Sequence, residues 1–213
     1  MKMRLHHYIK DTTAEGFGHR FCIWTQGCSH HCDECMASDT WAYSGGTEIE
    51  TDELIWMIRK QCENGSGIEG VTFLGGEPFE QAEACAMIAQ KVQEMGLSVI
   101  AFTGYTYEQL LQKKNENVWN FLENVDLLID GPYQKEKRNF SRPLVGSENQ
   151  RFLFLSDRYH QSDLMELHNR LEIQIKKDGT VKINGMADFE SLFHWLAEKT
   201  ETENDSIYRK DTT

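Results

Sequence analysis

Cys28, Cys32 and Cys35 are spaced C-x3-C-x2-C on the loop that follows the apolar run Phe21-Cys22-Ile23-Trp24. Three thiols so close together, and odd in number, do not form an ordinary disulfide framework. They can hold three corners of a four-iron cluster and leave the fourth iron open, because such clusters are normally held by cysteine thiolates, four for a full cubane. An iron with an open position can bind a substrate or cofactor directly. A zinc site would favour C-x2-C pairs. His30 and His31 lie inside the loop and could complete a Cys3His zinc site, so the loop alone admits a cluster, a zinc ion or a cysteine-rich loop without metal.

A second motif lies downstream. Val71-Thr72-Phe73-Leu74 reads as a buried strand that runs into Gly75-Gly76-Glu77-Pro78. Paired glycines at a strand end let the backbone approach a ligand closely, since no Cβ intervenes. Glu77 adds a carboxylate and Pro78 fixes the exit. Taken alone, the segment is also compatible with a plain strand-to-helix turn.

Taken together, the triad and a later strand ending in Gly-Gly-Glu-Pro resemble the radical S-adenosylmethionine enzymes. The resemblance implies that Cys28, Cys32 and Cys35 ligate a [4Fe-4S] cluster whose open iron is chelated by the amino and carboxylate groups of S-adenosylmethionine. It further implies that Gly75, Gly76, Glu77 and Pro78 contact the cofactor's methionyl amino group, and that Glu34, Cys35 and Met36 contact its adenosyl part, Glu34 and Met36 through their backbone. Further stretches narrow the likeness: Gly18-His19-Arg20, Trp24-Thr25-Gln26-Gly27-Cys28, Thr40-Trp41, Thr103-Gly104-Tyr105-Thr106-Tyr107-Glu108, the run from Asp126 to Tyr133, and Gly146-Ser147-Glu148-Asn149-Gln150-Arg151. These resemble the activating components of anaerobic (class III) ribonucleotide reductases and cover the chain from about Gly16 to Phe152. Such proteins place a radical on a backbone glycine of a larger enzyme.

The resemblance therefore implies reductive cleavage of S-adenosylmethionine to methionine and an adenosyl radical, hydrogen abstraction from a glycine Cα of a large glycyl radical enzyme, and a flavodoxin- or ferredoxin-type electron donor. Cluster and cofactor carry that chemistry, and the protein supplies binding, orientation and exclusion of water and oxygen; no acid–base side chain is required. Thr103 and Asp130 fall where related activases hold the methionyl carboxylate and a monovalent cation. Asp130 could equally cap the following Gly-Pro turn, and Asn149 and Arg151 either position a ligand or shape a turn. Glu34 departs from the family pattern, which often has an aromatic residue or glycine there; a solvent-exposed side chain is the expectation.

The 213-residue chain suffices for one sizeable core. Its net charge of −12 argues against nucleic-acid binding. No window has the length of apolar sequence that spans a bilayer, and no apolar signal core follows the start Met1-Lys2-Met3-Arg4. A cytoplasmic location is expected, where thiols stay reduced. Cys22, Cys62 and Cys85 read as structural.

Strand and helix patterns alternate: strands at 21–25, 71–74, 97–102, 126–129 and 152–155; helices at 52–63, 80–95, 107–113 and 118–124. This predicts an α/β fold with a parallel sheet and helical crossovers. A closed eight-stranded barrel typically takes about 250 residues, so an open partial (βα) barrel of the radical S-adenosylmethionine type is expected, with the motifs at the C-terminal ends of its strands. Residues 1–155 form the expected core. Residues 156–213 form an extension: a β-hairpin at 171–175 and 180–183 around Asp178-Gly179, a helix with Phe189, Leu192, Phe193 and Leu196 on one face, and a polar tail. Covering an open sheet edge is the expected role of the extension; docking a partner is the alternative. Two other functions remain in view: a radical enzyme acting on a peptide or small molecule, and a non-catalytic metal-binding module.

Overall fold

The computed structural model describes residues 1–63, 65, 67–175 and 177–186. The expected helix at Phe189, Leu192, Phe193 and Leu196, and the polar tail, lie outside the described residues. Nine strands are described: β1 (Lys2–Thr12), β2 (Arg20–Thr25), β3 (Thr47–Glu50), β4 (Gly70–Gly75), β5 (Ser98–Phe102), β6 (Leu127–Asp130), β7 (Arg151–Phe154), β8 (Leu171–Ile175) and β9 (Val181–Gly185). The helices are α1 (Thr51–Glu63), α2 (Ala82–Glu94), α3 (Tyr107–Gln112) and α4 (Glu116–Leu122).

The first seven strands form one open sheet in the order β3-β1-β2-β4-β5-β6-β7. The central strands β2, β4, β5 and β6 are parallel, as the alternation predicts. Strands β1, β3 and β7 pair antiparallel, which the alternation does not predict. Connection length explains β1: the turn between Thr12 and Arg20 is too short for a crossover, since a parallel return needs about a dozen residues or more. Strand β1 escapes the sequence pattern because paired His6-His7 and two register shifts break its alternation, although Met3 and Leu5 are buried.

Central strands buried on both faces lose simple alternation. Every residue of β2 is buried. Phe21, Ile23, Val71, Phe73, Val99 and Ala101 face the helices, where Leu54, Ile58, Ile88, Val92, Val118 and Phe121 complete the main core. Cys22, Trp24 and Leu74 face the other way. So do Ile100, Leu127 and Ile129, which pack on Leu144 and Val145 from the loop after β6. One face of the sheet is thus sealed by helices and the other by loops and the β8–β9 hairpin, which leave room there for a ligand. Cys22 and Cys85 are fully buried, as expected of small core residues.

The hairpin forms as predicted, with β8 and β9 as a separate two-stranded sheet. It does not pair with either edge of the main sheet. Polar partners dictate its seat instead. Thr13 N–H donates to Glu172 Oε1 (2.8 Å), Gly185 N–H donates to Glu15 Oε1 (2.7 Å) and Asn184 Nδ2 donates to Thr12 Oγ1 (3.0 Å). These bonds lay the hairpin on the turn between β1 and β2.

At the N-terminal ends of the parallel strands, Arg20 is fully buried. Its guanidinium donates to Thr72 Oγ1, Ser98 Oγ, Tyr159 Oη and the carbonyl oxygens of Phe17, Val71 and Ser98. One side chain therefore ties β2, β4 and β5 together through neutral acceptors. Arg20→Met would strand several buried acceptors, each costing about 1–3 kcal/mol. A loss of about 2–4 kcal/mol in denaturant-measured stability is expected, whereas a loss below about 0.5 kcal/mol would contradict the assigned role.

Candidate metal and cofactor site

Parallel register aligns the ends of the central strands. Thr25 lies opposite Gly75, and Phe102 lies opposite Ile129. The loops that follow these ends converge on one side of the sheet. Gly76 N–H donates to Thr25 O (2.9 Å) and Glu77 N–H donates to Gly27 O (2.8 Å), so the Gly-Gly-Glu-Pro turn is bonded directly to the start of the cysteine loop. Gly27 N–H donates to Thr40 O (2.7 Å) and Cys28 N–H donates to Trp41 O (3.2 Å), closing that loop at its far end.

Glycine is required here for space and conformation. Gly75 has φ +102°, a region that L side chains rarely adopt. A Cβ on Gly75 would strike the Trp24 and Thr25 backbone, and one on Gly76 would strike the Gly27 carbonyl. A Cβ on Gly104 would lie 2.5 Å from the His30 ring.

Glu77 is 1% exposed and sits at the centre. Its Oε1 accepts from Phe79 N–H and Thr103 Oγ1, both at 2.9 Å; its Oε2 accepts from Gly104 N–H at 2.8 Å. His30 Nε2 approaches Oε2 at 3.3 Å, an ion-pair distance, but at an angle outside hydrogen-bond geometry. Thr103 is thus placed as a partner of Glu77. Pro78 is buried and opens the short turn Pro78–Gln81.

Two adjoining cavities lie over these loops. The smaller, about 150 Å³, is lined by Cys28, Cys32 and Cys35 together with Gly75, Gly76, Glu77 and Thr103. The larger, about 360 Å³, shares Cys35, Gly75, Phe102, Tyr133 and Gln150 with it and is walled by Met36, Trp24, Leu74 and the hairpin residues from Ile183 to Met186. Burial pushes the Cys28 thiol up to about 11 and raises Cys32 as well; a metal must displace those protons on binding.

The donor set fits a multi-iron cluster. In a cubane each thiolate binds a different iron, so three thiols around one cavity need not meet at a point. A zinc ion requires its donors on one centre, and among the described residues no three His, Cys, Asp or Glu side chains converge in that way. Both loop histidines have other contacts: His30 packs edge-on against Tyr105, and His31 stacks on Trp41.

The Glu34 side chain is exposed, as expected, with φ +58°, and lies 3.8 Å from Lys135 Nζ. Asp130 falls elsewhere. It is fully buried but lines neither cavity. Its oxygens accept from Arg151 Nε (2.9 Å), Arg151 Nη2 (2.5 Å) and Tyr107 N–H (2.7 Å), so it anchors the start of α3 rather than the Gly-Pro turn. Arg151 also pairs with Glu108, holding that carboxyl down to about 2. Asn149 Nδ2 donates to Pro132 O (2.7 Å). The sequence motifs did not single out Trp41, Phe102, Gly131, Tyr133 and Gln150 as lining residues; for Phe102, Gly131 and Tyr133, a position at or just beyond the C-terminal end of β5 or β6 was the available signal.

Gly76→Ala tests the fit, because its methyl group would push the Gly-Gly-Glu-Pro turn off the cysteine loop. The folded variant is expected to take up markedly less iron and sulfide than wild type on anaerobic reconstitution. Equal uptake would mean that the contact between the loops does not shape the metal site.

Comparison with known proteins agrees with this donor set. The family described as "4Fe-4S single cluster domain" matches residues 14–153. The pyruvate formate-lyase-activating enzyme of Clostridium pasteurianum is 32% identical over 157 residues, 68% of this chain and 63% of that protein. The anaerobic ribonucleoside-triphosphate reductase-activating protein of Vibrio cholerae is 27% identical over 153 residues, 70% of this chain and 96% of that one. Its Escherichia coli K12 counterpart is 24% identical over 152 residues, with the same coverage of 70% and 96%. The chain thus spans less than two thirds of the clostridial enzyme's length. Among solved structures, QueE from Escherichia coli aligns with a TM-score of 0.40 at 19% identity over 50% of this chain and 54% of that one, too low to decide fold or function. With its thiol triad gathered around one cavity and the match running from before β2 into β7, the chain belongs to the 4Fe-4S single cluster domain family.

Proposed function

We propose that this protein is a radical S-adenosylmethionine activase that installs a glycyl radical on a partner enzyme, most closely an anaerobic ribonucleoside-triphosphate reductase. The observation that carries the reading is the union of the cysteine loop and the Gly-Gly-Glu-Pro turn around one cavity through Glu77. The chemistry supplied at such a site is one-electron reductive cleavage of the sulfonium carbon–sulfur bond, giving methionine and an adenosyl radical.

The chain's own residues bind and orient. Cys28, Cys32 and Cys35 are the cluster ligands. Gly75 and Gly76 present bare backbone to the methionyl end of the cofactor. The Glu77 carboxylate is held by Thr103 and Gly104 and so shapes that wall from behind. Trp24, Leu74, Phe102 and Met36 give the larger cavity an apolar lining, which would keep water away from a reactive radical. No side chain is asked to move a proton.

The choice of partner rests on the two reductase-activating proteins, of which this chain covers 96%. The electron donor is of flavodoxin or ferredoxin type, and the setting is cytoplasmic; no described helix is long and apolar enough to cross a membrane. One observation favours a second reading, a radical enzyme acting on a peptide or small molecule: residues 183–186, beyond the family match, close the larger cavity.

Anaerobic EPR separates these readings. Reconstituted protein, reductant and S-adenosylmethionine are mixed with the reductase large subunit while cofactor cleavage is followed. A glycyl radical signal is expected, absent from Cys32→Ala. Cleavage without that signal would point to another substrate. A protein that takes up iron but never cleaves the cofactor would leave a non-catalytic cluster module.

A further inference from the structure

Glu80 lies two residues beyond Pro78, in the turn that follows the Gly-Gly-Glu-Pro segment. Its half-buried carboxylate gathers donors from three loops. Oε1 accepts from the backbone N–H of Ser29 (3.1 Å), from the Ser29 hydroxyl at a short distance, and from Tyr105 Oη (3.5 Å). Oε2 accepts from Tyr43 Oη at 2.6 Å. Ser29 directly follows Cys28, Tyr43 lies beyond the last cysteine, and Tyr105 lies beyond β5. Burial favours its neutral form, but the bonds from Ser29 and Tyr43, with the nearby His30, outweigh that and keep it below its ordinary value. It is therefore an ionised group hydrogen-bonded by neutral donors, one of which, Ser29, is the residue after the first cysteine.

We propose that Glu80 is a positioning residue that fixes the cysteine loop and, through its negative charge, lowers the reduction potential of the cluster the loop carries. The inference deepens the proposed function and rests on the reading of Cys28, Cys32 and Cys35 as cluster ligands. Cluster potentials respond to net charge and to hydrogen bonding in the surroundings. A fixed anion beside the first ligand makes an added electron less welcome and so makes the reduced cluster a stronger reductant. Cleavage of a sulfonium bond calls for that strength. Glu77 cannot play this part separably, because its carboxylate also organises the ends of β4 and β5. Glu80 bonds only to loop residues at the rim.

The test compares wild type, Glu80→Gln and Glu80→Ala after anaerobic reconstitution, by EPR-monitored redox titration and by the rate of iron loss to a chelator. Both variants are expected to titrate at higher potential than wild type, since both remove the charge. Glu80→Ala is expected to lose iron about tenfold faster, the effect of losing one to two net hydrogen bonds. Glu80→Gln should lose it more slowly than Glu80→Ala, because its amide oxygen still accepts from Ser29. An unchanged potential in Glu80→Gln overturns the electrostatic role, and unchanged iron loss in Glu80→Ala overturns the positioning role. If wild type itself takes up no iron, the cluster reading falls and this inference falls with it; iron analysis of wild type distinguishes that case from a failure of Glu80 alone.

Discussion

A carboxylate that leaves water must find donors or give up its charge. Glu77 finds three: the Phe79 amide, the Thr103 hydroxyl and the Gly104 amide. The first belongs to its own turn. The other two belong to the loop after the next strand. Satisfying this one group therefore locks the end of β4 to the end of β5, and hydrogen bonds to a charged group are each worth about 1.5–3 kcal/mol. Because Gly76 and Glu77 also donate to Thr25 and Gly27, the same lock reaches the cysteine loop. Three loops distant in sequence are held at fixed separation around the cavity by one buried anion and two backbone bonds.

The two ends of the parallel sheet carry different loads. At the N-terminal ends, Arg20 binds β2, β4 and β5 with every donor spent on fixed acceptors. Nothing there is left over for a ligand. At the C-terminal ends the glycines leave space, the thiols are uncommitted and the walls are apolar. Parallel α/β architectures divide stability and function between their ends in this way. The division is made here by a buried cation at one end and a buried anion at the other, each solvated by protein groups in place of water.

The hairpin shows how a few polar contacts redirect an element. Its strands pair with each other in the register the turn sets, with Asp178 Oδ1 accepting from Thr180 N–H at 3.0 Å. Either edge of the main sheet could have taken another strand. Instead Glu172, Asn184 and Gly185 find partners at Thr12, Thr13 and Glu15, and β9 ends against the larger cavity. A segment beyond the family match thereby becomes part of the site's wall.

Much of the site was legible in the sequence because its residues are close together along the chain. Cysteine spacing limits what three thiols can hold, and paired glycines before a carboxylate announce a close backbone approach. The parallel core was legible for a similar reason, since apolar runs of four to six residues flanked by helix patterns leave few alternatives. Strand β1 was not legible, because His6 and His7 interrupt its period and its pairing is set by the short return to β2. Asp130 resembles a site residue by position, yet tertiary contacts assign it to Arg151. Likewise, no spacing rule links Glu77 to Thr103 or Glu80 to Ser29, Tyr43 and Tyr105. The sequence by itself determined which groups could do the chemistry, because thiol and glycine properties are local. Only the tertiary structure decided which carboxylates serve the site, because the partners of a buried charge are chosen by what the fold brings within hydrogen-bond distance.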